Sequence, residues 1–115
     1  MIPRTRPISW IRGALKDFEG FPEGARSIGL AALTIVAEGG KPDIAKPLHG
    51  MGSGVFEIAL PFRGAAFRVV YAVQLDQDVW VIHAFQKKSK QGIKTPKPEM
   101  DLIRDRLTRL KEMLR

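Results

Sequence analysis

The stretch from Trp80 to Pro98, WVIHAFQKKSKQGIKTPKP, contains the pattern that decides the fold of this chain. Trp80 to Phe85 is a mostly apolar run that predicts a buried strand. A lysine cluster with no acidic residue inside it follows at once: Lys87, Lys88, Lys90, Lys94 and Lys97. Thr95-Pro96 then predicts the start of a helix. A rigid strand that leads into this cluster would hold positive charge at a defined place, which a disordered basic tail would not do.

Length and composition predict one globular domain over residues 1–115. Apolar residues make up 44% of the chain and charged residues 27%, an ordinary balance for a domain that buries a core. There is no cysteine, which excludes a disulfide framework and thiolate chemistry. Nineteen Lys and Arg against twelve Asp and Glu give a net charge of +7, which favours polyanionic partners, nucleic acid first.

The sequence contains no pattern typical of a targeting segment or a cofactor site. No long apolar segment follows the basic N-terminus, Met1 to Pro7, so we expect no signal peptide. No apolar run approaches the roughly 20 residues of a membrane span, so we expect a cytoplasmic protein without a membrane partner. His49 and His83 are the only histidines, and nothing at metal-ligand spacing accompanies them. We therefore predict no metal and no cofactor.

The N-terminal half predicts helices followed by a loop. Ile8 to Ile11 suits an edge strand or the lead into a helix, and Ala14 to Phe18 predicts a short helix. Pro22 to Glu38 predicts a longer helix, because apolar residues recur at helical spacing, among them Ile28, Ala32 and Ile35. The prolines and glycines between Lys41 and Gly54 predict a loop, and His49 is interpreted as an exposed residue of it.

Three strand-like runs follow, over residues 55–60, 66–75 and 79–86. Their short connections predict an antiparallel meander. A second turn symmetric about Gln77 would place Tyr71 opposite His83. Both faces of the second run are apolar except at Arg68, so we expect this strand to be central and covered on both sides.

The last segment, residues 95–115, has the clearest helical pattern. Thr95 is placed to cap the helix, and Pro96 and Pro98 are tolerated in its first turn. An apolar stripe runs along one face: Met100, Ile103, Leu107, Leu110 and Leu114. The whole pattern predicts an α+β fold, in which N-terminal helices and a C-terminal helix pack on a small, mainly antiparallel sheet.

Several motifs together resemble the phage-derived Gp49-like branch of the RelE/ParE toxin superfamily, also described as HigB-like toxins. The motifs are Lys46-Pro47-Leu48, Gly54-Val55-Phe56-Glu57-Ile58, Phe67-Arg68-Val69-Val70-Tyr71, His83-Ala84-Phe85-Gln86-Lys87-Lys88-Ser89 and Thr95-Pro96. Each motif alone is weak, but their order and spacing together form a fairly strong signal.

The resemblance implies a RelE-like fold and the role of toxin in a type II toxin–antitoxin pair. Its leading implication is a ribosome-dependent mRNA endonuclease, or mRNA interferase, which binds mRNA on the ribosome and is neutralised in a hetero-oligomer with a small helix-turn-helix antitoxin. ParE-type toxins share the fold but act on DNA gyrase, so a gyrase inhibitor without nuclease chemistry is the alternative, and a non-toxic binding protein is a third.

The resemblance also implies a site. Arg68 matches the arginine that RelE-type toxins use to hold the scissile phosphate, although a structural ion pair with Glu57 is the competing interpretation. Lys87 and Lys88 match a basic pair that binds phosphate at the end of the last strand. Further RNA contacts are expected from Arg63, Lys90, Lys94 and Lys97.

His83 is a possible acid or base, and the sequence departs from the family pattern in three places. His83 can transfer protons by residue type, but a core histidine with satisfied hydrogen bonds is the favoured interpretation. Ala59 stands where many relatives have an arginine, the segment 90–94 is longer than usual, and the last helix has no tyrosine. The sequence therefore offers no clear general base.

Overall fold

The computed structural model describes residues 5–87 and 94–115, without the side chain of Ala65. The predicted helices and meander strands are present, with some different bounds. In chain order the elements are β1 (Ile8–Trp10), α1 (Arg12–Glu19), α2 (Glu23–Ala37), β2 (Ala45–Pro47), β3 (Val55–Phe62), β4 (Ala65–Ala72), β5 (Val79–Lys87) and α3 (Lys97–Met113). None of the described helices is long and apolar enough to span a membrane.

The strands form one mixed sheet in the order β1-β5-β4-β3-β2. Only β1 and β5 pair in parallel, and the other neighbours are antiparallel. The meander of β3, β4 and β5 is therefore confirmed, with β4 at the centre. The predicted α+β class is also confirmed, because helices pack on both faces of the sheet.

One face of the sheet, which we call the α2 face, packs against α1 and α2. Its buried side chains alternate along the strands, so that Ile58 and Leu60 of β3 lie beside Val69 and Tyr71 of β4. Gly29 marks a close approach of α2 to α1, because a Cβ there would lie 2.8 Å from the ring of Phe18. The α2 face is thus a continuous apolar core.

The opposite face, which we call the α3 face, is covered by α3. Ile103, Leu107 and Leu110 of the predicted apolar stripe are buried against it, while Met100 and Leu114 pack at its border. The sheet contributes Val70, Ala72, Ile82 and Phe85. The predicted stripe is therefore confirmed, and it fixes α3 across one part of the sheet.

Three local predictions were wrong. The segment predicted as a loop contains β2, because Ala45–Pro47 pairs antiparallel with β3. The second meander strand ends at Ala72 instead of Leu75, since the chain turns before reaching β5. Ile35 is exposed at 44%, and Leu33 and Val36 fill the core in its place because the buried stripe of α2 lies to one side of the predicted one.

The predicted register between β4 and β5 was also wrong. Tyr71 pairs with Val81, whereas His83 pairs with Val70. Ile82 is the additional residue of a β-bulge between these two pairs. Because one extra residue shifts the alternation of side chains, His83 lies on the α3 face, the same face as Arg68, instead of on the face of Tyr71.

Candidate functional site

The α3 face carries polar side chains where the strands extend beyond the apolar stripe of α3. Arg68 of β4 pairs with Ala59 of β3 on one side and with Phe85 of β5 on the other. Lys87 pairs with Ala66, two residues before Arg68. Arg68 and Lys87 therefore lie on the same face of neighbouring strands, one diagonal step apart.

Arg68 forms an ion pair with Glu57, which lies on the same face of β3. The distance from Arg68 Nε to Glu57 Oε1 is 3.8 Å, and both side chains are 14% exposed. Arg68 Nε is buried and has no hydrogen-bond partner among the described residues. The ion pair that competed with a functional role is thus present, but it leaves a donor of the guanidinium unsatisfied.

Thr95 does not cap α3, contrary to the prediction. The residue before the helix is Pro96, which provides no side-chain cap, and Thr95 Oγ1 instead donates to Glu57 Oε2 at 2.5 Å. The hydroxyl is directed at Glu57 because the turn before α3 lies over β3. The carboxylate is therefore held between a guanidinium on one oxygen and a hydroxyl on the other.

Lys87 is not part of a solvated surface. It is the last residue of β5 and only 7% exposed. Lys88 and Lys90 lie outside the described residues, so the predicted pair is represented here by Lys87 alone.

Two hollows flank the Glu57–Arg68 pair. The first, of about 610 Å³, lies between β2 and the start of α3 and is lined by Lys46, His49, Glu57, Lys94 and Thr95 among others. The second, of about 520 Å³, lies at the β3–β4 hairpin and is lined by Ala59, Arg63 and Arg68 among others. We call the group of Lys46, Glu57, Arg68, Lys87 and Thr95 the Arg68 site. It has cations on both sides of one carboxylate and open space on either side of the pair.

His83 is a core histidine with both ring nitrogens occupied. Its Nε2 lies 2.8 Å from Glu99 Oε1, and its Nδ1 lies 3.0 Å from Arg106 Nη1, which also donates to the carbonyl of Ile82. A guanidinium can only donate, so Nδ1 accepts and the proton of a neutral ring is on Nε2. Burial lowers the pKa of His83, and Arg106 lowers it further against the opposing effect of Glu99. His83 thus fastens α3 to β5.

A family model described as phage-derived protein Gp49-like matches residues 16–108. The chain belongs to this family. The resemblance to the Gp49-like family that was inferred from the sequence is confirmed. None of the curated proteins matches the chain significantly.

The fold of this Gp49-like protein is also that of RelE. The free state of a double mutant of the Escherichia coli toxin RelE is similar at a TM-score of 0.63 and 19% identity, over 92% of this chain and 98% of that one. A second match is the intact E. coli RelBE toxin–antitoxin complex, at a TM-score of 0.60 and 22% identity, over 73% and 99% of the two chains. At these identities the similarity establishes the fold alone.

The remaining predicted cations that the structure describes are Arg63, Lys94 and Lys97. Arg63 is exposed at the tip of the β3–β4 hairpin, where its guanidinium lies 5.2 Å from the centre of the Phe62 ring. Lys94 is exposed and lines the first hollow. Lys97 faces solvent and pairs with Asp101 at 2.9 Å within α3. Lys94 is therefore the member of this set that the structure brings to Glu57.

The sequence did not identify several residues of the site. Glu57 was considered only as an ion-pair partner, although its position on the strand shares a face with Arg68. Lys46 pairs directly with Glu57 across β2 and β3, which becomes visible only with β2 in place. His49 lines the same hollow as Glu57. Among the described residues, no group of three or more His, Asp or Glu side chains could hold a metal ion.

Proposed function

We propose that this Gp49-like chain is the toxin of a type II toxin–antitoxin pair and cleaves mRNA on the ribosome. In this proposal residues 1–115 form one toxin domain that acts in the cytoplasm. One observation carries it: Arg68 and Lys87 lie on one face of the sheet beside a carboxylate, with hollows on both sides. The net charge of +7 suits an RNA substrate.

The proposed reaction is attack of a ribose 2′-OH on the adjacent phosphate. The 2′ oxygen forms a bond to phosphorus, and the bond to the 5′ oxygen of the next nucleotide breaks. The products are a 2′,3′-cyclic phosphate and a 5′-OH. Arg68 is suited to hold the phosphate, because a guanidinium presents several fixed donors to the oxygens on which negative charge develops. The Arg68 side chain is 14% exposed and lines the second hollow, so part of it is open to a ligand.

Glu57 is the proposed general base, a role that the sequence left unfilled. Its Oε1 faces Arg68 and its Oε2 accepts from Thr95, so the carboxylate has a fixed orientation beside the phosphate-binding group. The proton of the 2′-OH passes to Glu57 as the 2′ oxygen attacks. Lys87, the last residue of β5, adds positive charge, as does Lys88, the next residue in the sequence. A lysine ammonium can protonate the departing 5′ oxygen.

A cognate antitoxin is the proposed partner. The similar E. coli complex contains a toxin and its antitoxin. For the present chain, a small helix-turn-helix protein with an acidic segment would be attracted to the cations around Arg68 and would exclude RNA from them. The active toxin is then released when the antitoxin is removed.

The test is induction of the chain in bacteria, with growth and the 5′ ends of transcripts measured together. We expect arrested growth and new 5′ ends inside translated regions, and no such ends when translation is blocked. Arg68→Ala and Glu57→Gln should each reduce cleavage by about 100-fold or more. Arg104→Ala is the matched control, since Arg104 is an exposed α3 arginine that pairs with Asp101.

Three results would contradict the proposal. Equal toxicity of wild type and Arg68→Ala would remove the phosphate-binding role. Arrested growth with intact transcripts and altered DNA supercoiling would favour a gyrase inhibitor instead. Unchanged growth with every variant would indicate a binding protein that shares the fold.

A further inference from the structure

A second concave surface lies at the opposite end of β5 from the Arg68 site. It is a groove of about 420 Å³ between the start of α1 and the end of α3, and we call it the tryptophan groove. Trp10 and Trp80, the two tryptophans of the chain, both line it. Trp80 is the second residue of β5 and Lys87 its last, so the length of the strand separates the two surfaces.

The floor of the tryptophan groove is apolar and partly uncovered. Met113, at the end of α3, is 72% exposed, the largest fraction among the exposed large apolar residues of the described chain. The indole N–H of Trp80 donates to Asp76 at 3.0 Å, so its polar atom is satisfied and the ring is left for apolar contact. Aromatic residues, methionine and arginine are the types enriched in the cores of protein interfaces.

The charged side chains that line the groove are arginines. Among the described residues, the charged side chains that line it are Arg12, Arg106 and Arg109. Arg109 pairs with Asp105 at 3.3 Å, but both are exposed and such a pair contributes little free energy. Arg109 can therefore exchange this partner for a carboxylate of another protein.

We propose that the tryptophan groove binds an acidic amphipathic helix of a partner protein. One or two large apolar side chains of that helix lie on the tryptophans and Met113, and flanking carboxylates pair with Arg12 and Arg109. A helix fits better than a strand because β1 already occupies the outer edge of β5 from Val79 to Val81. Single-stranded RNA would require a longer cationic track with successive stacking faces.

This proposal does not depend on nuclease chemistry, since the groove and the Arg68 site share no residue. If the chain is a toxin, its antitoxin is the partner to which the helix belongs. In that case the helix is a second point of attachment, in addition to the acidic segment proposed to cover the cations around Arg68.

The test is a titration of the purified chain with a synthetic helical peptide of about 14 residues, roughly four turns. The peptide has leucines at helical spacing on one face and glutamates on the flanks. Intrinsic tryptophan emission is the readout, because both tryptophans line the groove. We expect a saturable change with a dissociation constant on the order of 10 µM. Arg109→Glu and Met113→Glu should each weaken binding by about tenfold or more.

Lys111→Glu is the matched control, since it reverses a charge on α3 outside the groove. It should change the affinity by less than about twofold at physiological ionic strength, where separated surface charges are screened. Far-ultraviolet circular dichroism of each variant checks the fold. Failure of the peptide to change the emission up to about 1 mM would overturn the proposal. Equal weakening by Arg109→Glu and Lys111→Glu would also overturn it, as would tighter, Arg109-dependent binding of oligouridylate.

Discussion

The two faces of the sheet use the same strands for different purposes. On the α2 face the strands and two helices bury a continuous set of apolar side chains, including Ile58, Val69 and Tyr71. On the α3 face a single helix covers part of the sheet and leaves Glu57 and Arg68 beside open hollows. Alternation along β3 and β4 thus assigns apolar residues to one face and allows charged residues on the other.

The titratable groups of the two faces show the same difference. Tyr71 lies on the α2 face, and burial raises its pKa to about 12, so it is a neutral core residue. His83 lies on the α3 face, where its ring has a carboxylate on one side and a guanidinium on the other. On the α2 face, the polar group of Tyr71 is buried in an apolar core. On the α3 face, charged side chains pair with one another or with His83. We therefore expect stability to depend mainly on the α2 face and function on the α3 face.

The strongest test of this difference is a cavity in the α2 face. Ile58 of β3 is fully buried under the helices of the α2 face. Ile58→Ala removes packed methyl and methylene groups and leaves a cavity in their place. We expect a loss of about 3 kcal/mol in the free energy of unfolding, measured by urea denaturation. Ile35→Ala is the control on the exposed side of α2 and should cost less than about 1 kcal/mol. Equal losses would show that the α2 face is not the stabilising one.

A smaller loss is expected where α3 is fastened to β5. Arg106→Ala removes the donor to the Ile82 carbonyl and to His83 Nδ1, both of which are in buried surroundings. The unsatisfied acceptors should lower the free energy of unfolding by about 1–3 kcal/mol. Arg104→Ala, two residues away on the exposed side of α3, should change it by less than about 0.5 kcal/mol. If Arg106→Ala is also without effect, the contact does not hold the helix.

The pH dependence of stability should report the same contact. The pKa of His83 is lowered in the folded state, so as pH falls the unfolded chain takes up this proton first. The contribution of neutral His83 to the free energy of unfolding is therefore complete above the unfolded pKa of about 6.5, and it is lost as pH falls below that value. Arg106 opposes the protonated ring, while Glu99 and Asp17 favour it.

The measurement is the midpoint temperature of thermal unfolding between about pH 7 and pH 5, a range that includes the reference pKa of histidine. His83→Gln should flatten the slope, because the amide can accept from Arg106 and donate to Glu99 without titrating. His49→Gln is the matched control, since His49 is exposed, and it should retain the slope of the wild type. A slope that is unchanged in His83→Gln would assign the dependence to the carboxylates.

Local periodicity accounts for most of the fold that the sequence predicted. The apolar stripe of α3 and the alternation of Phe67, Val69 and Tyr71 follow directly from the periods of helix and strand. β2 escaped prediction because Ala45–Pro47 has no alternation of its own and forms a strand only by pairing with β3. The bulge at Ile82 is likewise invisible, because an extra residue in an apolar run leaves the pattern unchanged.

The site was less predictable because its contacts join distant parts of the chain. A threonine before Pro96 has the sequence pattern of a helix cap, yet its hydroxyl contacts Glu57, 38 residues earlier. The face on which His83 lies depends on the bulge, and the neighbourhood of Lys46 depends on β2. Sequence patterns could therefore supply Arg68, Lys87 and an ion pair of Arg68 with Glu57, but not the positions of Thr95 and Lys46 beside that carboxylate.

The smallest expected effect concerns the Glu57–Arg68 pair itself. At 3.8 Å the contact is an ion pair without a hydrogen bond, so the mutual stabilisation of the two groups should be weak. We expect a double-mutant cycle of Arg68→Met and Glu57→Gln, measured by urea denaturation, to give a coupling energy below about 1 kcal/mol. The same substitutions should abolish transcript cleavage. A coupling above about 2 kcal/mol would instead identify the pair as a structural element of the α3 face, and Arg68 would then be a stabilising residue and not a phosphate-binding one.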